Sequence, residues 1–222
     1  MFVNKKFLVA LVLVMSVFSI FSRGQTTKET IFWNWFVRNE ARIYDLEKDQ
    51  NRIFMEISAE LKKIDPNLTF EFGPKQQGVR DFVISADGIK KSFPLVFNLA
   101  NGAPALPRFK IIKFRPRRPP FTEIKYEGLT IMLEQIKFSI ERDGDKAGIT
   151  IFIDGFNAAK RNAYVGVAFL YLDNCLGEYD VETKVGAIEV KAMTEPSKTE
   201  KVPLAQIAST FDSFFAKNSN ED

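Results

Sequence analysis

One hydrophobic pattern occurs twice along this chain, and it leaves few architectures open. In its first copy Leu68, Phe70 and Phe72 alternate with Thr69 and Glu71, while Phe82, Ile84 and Ala86 alternate with Asp81, Val83 and Ser85. Alternation at period two is the mark of a strand buried on one face. The intervening Gly73-Pro74-Lys75-Gln76-Gln77-Gly78 reads as a turn, so the pair forms a hairpin. After Asp87-Gly88, the residues Ile89, Phe93, Val96, Phe97 and Ala100 mark a helix face that ends at Asn101-Gly102. Pro94 is tolerable there only in the first turn. Arg108 to Phe114 is the next strand. The second copy has Phe138 and Ile140, a turn at Asp143-Gly144-Asp145-Lys146, then Ile149, Ile151 and Ile153, closed by Asp154-Gly155. A helix from about Asn157 to Asn174 and a strand from Val185 to Val190 complete it. The order strand, strand, Asp-Gly, helix, strand at near-equal spacing points to a duplicated unit.

The flanking segments set the domain boundaries. Residues 25–66 read as helical: Phe32-Trp33-Asn34-Trp35-Phe36 is too aromatic to stay solvated, and Leu46, Ile53, Ile57, Leu61 and Ile64 form one stripe. Asp65-Pro66 ends it. Residues 67–192 hold the repeated core, with halves at about 67–116 and 121–192. The Arg-Pro segment 115–120 joins them, and Thr122–Tyr126 with Gly128–Met132 adds a short hairpin. Residues 193–222 are a polar loop and a last helix, whose Leu204, Ile207, Ala208, Phe211, Phe214 and Phe215 share a face. The expected fold class is α+β. Two β-β-α-β halves form antiparallel or mixed sheet, flanked by N-terminal helices and a C-terminal helix.

The start of the chain points to export. Lys5 and Lys6 precede an apolar run from Phe7 to Phe21, followed by Ser22-Arg23-Gly24. A basic start, a short apolar core and small residues before a cut site make a secretory signal peptide. The run is about 15 residues, against the roughly 20 that a helix needs to span a bilayer. Residues 1–24 also contain Lys5, Lys6 and Arg23, which account for the whole formal charge of +3. The remainder is neutral, so a nucleic-acid partner is not expected. The expected location is periplasmic or secreted, with no membrane span after cleavage.

Catalytic vocabulary is thin. Histidine is absent and cysteine occurs once, which excludes a His-based triad, a His-ligated metal and an internal disulfide. No cofactor is expected. Lys110, Lys113, Arg115, Arg117 and Arg118 form a basic run that could take an anionic glycan or an acidic protein face, since guanidinium forks suit planar anions. Its plainer reading is a strand end whose charges are solvated or paired to nearby acids. Glu178, Asp180 and Glu182 could do acid–base work or form a solvated turn. Trp33 could stack on a sugar ring or pack in the core, and Cys175 reads as a packed thiol.

Five strings complete the reading: Phe32-Trp33-Asn34-Trp35-Phe36, Asn67-Leu68-Thr69-Phe70-Glu71-Phe72, Phe82-Val83-Ile84-Ser85-Ala86-Asp87-Gly88, Phe114-Arg115-Pro116-Arg117 and Leu176-Gly177-Glu178-Tyr179-Asp180. In this order they resemble a family of uncharacterised bacterial proteins. The resemblance covers most of residues 30–192 and implies a bacterial source; it transfers no activity. The expectation is a non-catalytic binding or envelope-associated protein. The alternatives are a carboxylate-dependent hydrolase of envelope glycans and an inhibitor or immunity-type partner.

Overall fold

The computed structural model describes residues 26–218, so the signal-peptide reading of residues 1–24 lies outside the described residues. Helix α1 (Lys28–Tyr44) starts at Thr27, whose hydroxyl accepts from the Thr30 N–H, with Glu29 in the first turn. Both suit the unpaired N–H groups and positive dipole end of a helix start. It buries Phe32, Trp33, Phe36 and Ile43. A single 3-10 turn at Leu46–Lys48 separates it from α2 (Gln50–Lys62), which buries Ile53, Ile57 and Leu61. The apolar stripe expected from Leu46 to Ile64 is therefore divided just after Leu46.

The two β-β-α-β halves are present and share one topology. In the first, β1 (Thr69–Gln76) pairs antiparallel with β2 (Val79–Ser85), and α3 (Phe93–Asn101) crosses over to β3 (Phe109–Lys113), which runs parallel to β2. A short hairpin, β4 (Glu123–Tyr126) and β5 (Leu129–Met132), follows the linker. In the second half β6 (Ile136–Asp143) and β7 (Lys146–Ile153) are antiparallel. Helices α4 (Arg161–Leu176) and α5 (Glu178–Lys184) then lead to β8 (Val185–Ala192), parallel to β7. Parallel neighbours need a crossover, and in each half helix supplies it. The strand orders are β1-β2-β3 and β8-β7-β6-β9, where β9 (Val202–Pro203) adds to the outside of β6. Helix α6 (Ile207–Asn218) closes the described chain.

The first hairpin turn is shorter than the glycines implied. Only Gln77 and Gly78 form it, with φ of 51° and 80°, the two positive dihedrals of a type I′ turn matched to strand twist. Gly73-Pro74 lies inside β1, where the pairing slips between Phe72 and Lys75. Proline lacks the N–H that a regular rung needs, so the strand bulges there.

Each half has its own core. Helices α1, α2 and α3 cover one face of the first sheet, where the rings of Phe32, Phe36, Phe72, Phe82 and Phe109 interlock at centroid distances of 5.0–6.4 Å. Helices α4 and α6 cover Ile136, Phe138, Ile149, Ile151 and Ile153 of the second sheet. Among the described residues no helix is long and apolar enough to cross a membrane.

Candidate functional site

The two charged clusters singled out in the sequence meet at the seam between the halves. Gly177 ends α4 with φ 78° and ψ 150°, a conformation reserved for glycine, and sends the chain straight into α5. This puts Glu178 at the first position of α5, 1% exposed. Its carboxylate accepts from three backbone N–H groups: Ala86 at 3.0 Å, Gly88 at 3.2 Å and Arg115 at 3.1 Å. Its own N–H donates to the Arg115 carbonyl at 3.1 Å. The first half and the linker thus grip a residue of the second.

The arginines are engaged in the same seam. The Arg115 guanidinium lies 2.5 Å from Asp87, and its Nε is 3.8 Å from Glu178. Arg117 binds Asp180 at 2.6 Å and Asp212 of α6 at 2.8 Å, and its Nε donates to the Leu176 carbonyl. Arg118 binds Glu71 at 2.8 Å, while its backbone N–H donates to the Asn174 carbonyl at 2.7 Å. Tyr179 packs its ring against Phe93, Phe97 and Phe114. The Glu182 carboxylate sits beside Gly88, where an added Cβ would approach it to 3.1 Å.

Acids outnumber bases around Arg115. Burial, reinforced by Glu178, Glu182 and Asp87, pushes Asp173 up to about 6 against the pull of Arg115. Burial and the adjacent Glu178 also raise Glu182. Asp180 goes the other way: Lys184 and Arg117 outweigh its burial and hold it below the usual carboxylate range.

The remaining nominated residues are scattered. Trp33 is 3% exposed and its Nε1 donates to the Leu99 carbonyl at 2.8 Å. Buried and in ring contact with Phe32, Phe36 and Phe82, it offers nothing to a sugar, so its place is the core. Lys110 and Lys113 are exposed on β3, and Lys113 reaches Asn101 at 3.1 Å. Cys175 is buried and free, and burial raises its thiol. Among the described residues no group of three or more Cys, Asp or Glu side chains is placed to hold a metal ion.

The open surface lies elsewhere, between α2 and β1. A cleft of about 580 Å³ is lined by Gln50, Phe54, Glu71, Phe72, Asp81 and Arg118. A second, of about 560 Å³, shares Phe54 and Phe70 with it and continues past Met55 and Ala59 to Lys62. Together they make one groove along the edge of the first sheet. Both volumes fall in the range of ligand sites. A smaller polar hollow of about 160 Å³ lies on the outer face of the second sheet, where Glu141 and Glu189 are already paired to Lys198 and Lys191.

Of the groove residues the sequence had nominated only Arg118. A signal for the others existed: Phe54 and Met55 are apolar yet stand off the buried stripe of Ile53, Ile57 and Leu61, and Met55 is 67% exposed. Adjacent apolar side chains off the buried stripe mark a candidate contact patch. No protein-family model, curated protein or solved structure matches this chain.

Proposed function

We propose that this chain is an exported bacterial protein that binds a partner without catalysis, and that its contact surface is the groove between α2 and β1. The observation that carries the reading is a division of labour among side chains. Glu178 is held by three backbone N–H groups, and Asp180 and Asp87 are paired to Arg117 and Arg115 across the seam. The groove keeps Met55 toward solvent and is lined by the half-buried Phe54 and Phe70. A hydrolase built on Glu178, Asp180 and Glu182 would need two carboxyls facing a bound sugar with room between them. Glu178 has no solvent access and Asp180 is held by Arg117 and Lys184.

The test is capture from an extract of the envelope of the source cell. Met55→Glu with Lys62→Glu alters the groove, while Lys110→Glu with Lys113→Glu alters the far edge of the same sheet. The groove pair is expected to lose the captured partner and the β3 pair to keep it. Retention by both would remove the groove from consideration. Export is tested separately by N-terminal sequencing of protein from the extracytoplasmic fraction, with the chain expected to start after Gly24.

A further inference from the structure

The groove runs beside an unpaired sheet edge, and the backbone there has a definite polarity. Strand β1 is the outer strand of the order β1-β2-β3. On β2, the Arg80 N–H donates to the Arg108 carbonyl and the Ile84 carbonyl accepts from the Phe114 N–H. The even-numbered residues of β2 therefore point their backbone groups at β3, and Val83 and Ser85 point theirs at β1. Their partners are Glu71 and Thr69. By the same alternation the N–H and C=O groups of Phe70 and Phe72 point away from the sheet. Such a row is a template for one more strand.

The surroundings define what that strand would carry. Phe54, Met55 and Ala59 of α2 stand over the edge and supply an apolar ceiling for alternate side chains. Lys62, at one end of the groove, has no ion pair among the described residues, whereas Asp81 alternates with Phe82 and faces away from α2. A sugar chain is the weaker fit, because the Phe70 ring is already engaged edge to face with Phe54 and Phe72 at 5.3 and 5.6 Å. A second copy fits poorly too. Two β1 strands paired antiparallel about Glu71 would set that carboxylate against its own copy, and paired about Gly73 would set Pro74, which has no N–H, against Phe72.

Resting on the binding function proposed above, we infer that the groove takes an extended peptide segment of a partner protein. It adds to β1 at Phe70 and Phe72, lays alternate apolar side chains under α2, and carries an acid toward Lys62. The backbone rungs supply affinity, and the ceiling with the Lys62 charge at its end supplies selectivity.

The probes are two blocked heptapeptides, Lys-Thr-Val-Thr-Val-Thr-Asp for an antiparallel added strand and the reverse sequence for a parallel one. They are titrated into the ¹⁵N-labelled protein. One of the two is expected to shift and protect the Phe70 and Phe72 amides, and N-methylation of alternate peptide amides is expected to abolish this. Lys62→Glu should weaken binding up to about fivefold, the size of an exposed ion pair. Three results would overturn the inference: no response at Phe70 and Phe72 to either peptide, equal binding of the methylated peptide, or a response there only to a chito-oligosaccharide. A dimer in sedimentation that a β1 variant dissolves would also overturn it, in favour of self-pairing. If the peptides fail while Met55→Glu/Lys62→Glu still loses its envelope partner, strand addition falls and the binding function stands. If that variant keeps its partner, the groove falls as the contact surface and this inference falls with it.

Discussion

Removing the Glu178 carboxylate would leave the N–H groups of Ala86, Gly88 and Arg115 without their acceptor, the first of them buried and the other two half-buried. It would also leave Arg115 without one of its two nearest anions. Breaking such a buried charged set by deleting one partner costs about 3–5 kcal/mol. Glu178→Ala should lower stability by that amount in urea titration. Glu178→Gln, which keeps one carbonyl oxygen for part of the set, should cost less. Equal stability of Glu178→Ala and the parent would mean the seam is not the grip described. Nothing in the sequence told Glu178 apart from Asp180 and Glu182. All three are acids in one short string, and what separates them is the orientation that Gly177 imposes and the N–H groups arriving from ninety residues away. Trp33 was ambiguous for a related reason: an aromatic on a helix is core or contact depending on what lies opposite, and Leu99 and Phe82 lie opposite.

Gly177 is the hinge point on which the α4–α5 corner depends. Its dihedrals belong to glycine, and a Cβ would come within 3.1 Å of both the Arg115 carbonyl and the Arg117 nitrogen. Gly177→Ala should therefore destabilise the protein by about 1–3 kcal/mol from backbone strain, with the linker contact adding to it. Thermal unfolding checks this against Gly144→Ala. That residue is also at positive φ but has open space around it, so it should show the strain without the clash. The elements legible in advance are β2, β6 and β7 by their period-two alternation, α4 by its unbroken apolar length, and α3 by its first-turn proline. Short elements were not. Helix α5 is seven residues with one apolar anchor, Val181, buried beside Glu178, and its pattern of acids reads equally as a solvated turn. The groove was hidden for the opposite reason. It needs α2 and β1 side by side, and neither carries a local sign of the other.

The seam also sets how the protein as one body responds to pH. Asp87, Asp173, Glu178 and Glu182 gather around Arg115, with Lys90 and Lys146 near Glu182. Because Asp173 is raised from 3.8 to about 6, the folded state holds its proton more tightly than the unfolded chain does. Stability therefore falls as pH rises through that interval, and the penalty is fully present above about pH 6. The usual side chain titrating in this window is histidine, and there is none. Carboxylates with lowered values, such as Asp45 at about 2 and Asp180, stay charged throughout it. Glu182, also raised, acts in the same direction as Asp173. The protein should gain up to about 1 kcal/mol between pH 7 and pH 5, after discounting for the partial exposure of Asp173. Asp173→Asn should be more stable than the parent at pH 7 and lose most of this dependence. Both halves should unfold in the same urea transition, because the group that titrates lies between them. A parent midpoint that is flat or rises from pH 5 to pH 7 would show that the seam does not hold the surplus of negative charge inferred for it. Two separate transitions, only one of them sensitive to pH, would show that the halves are not joined through it.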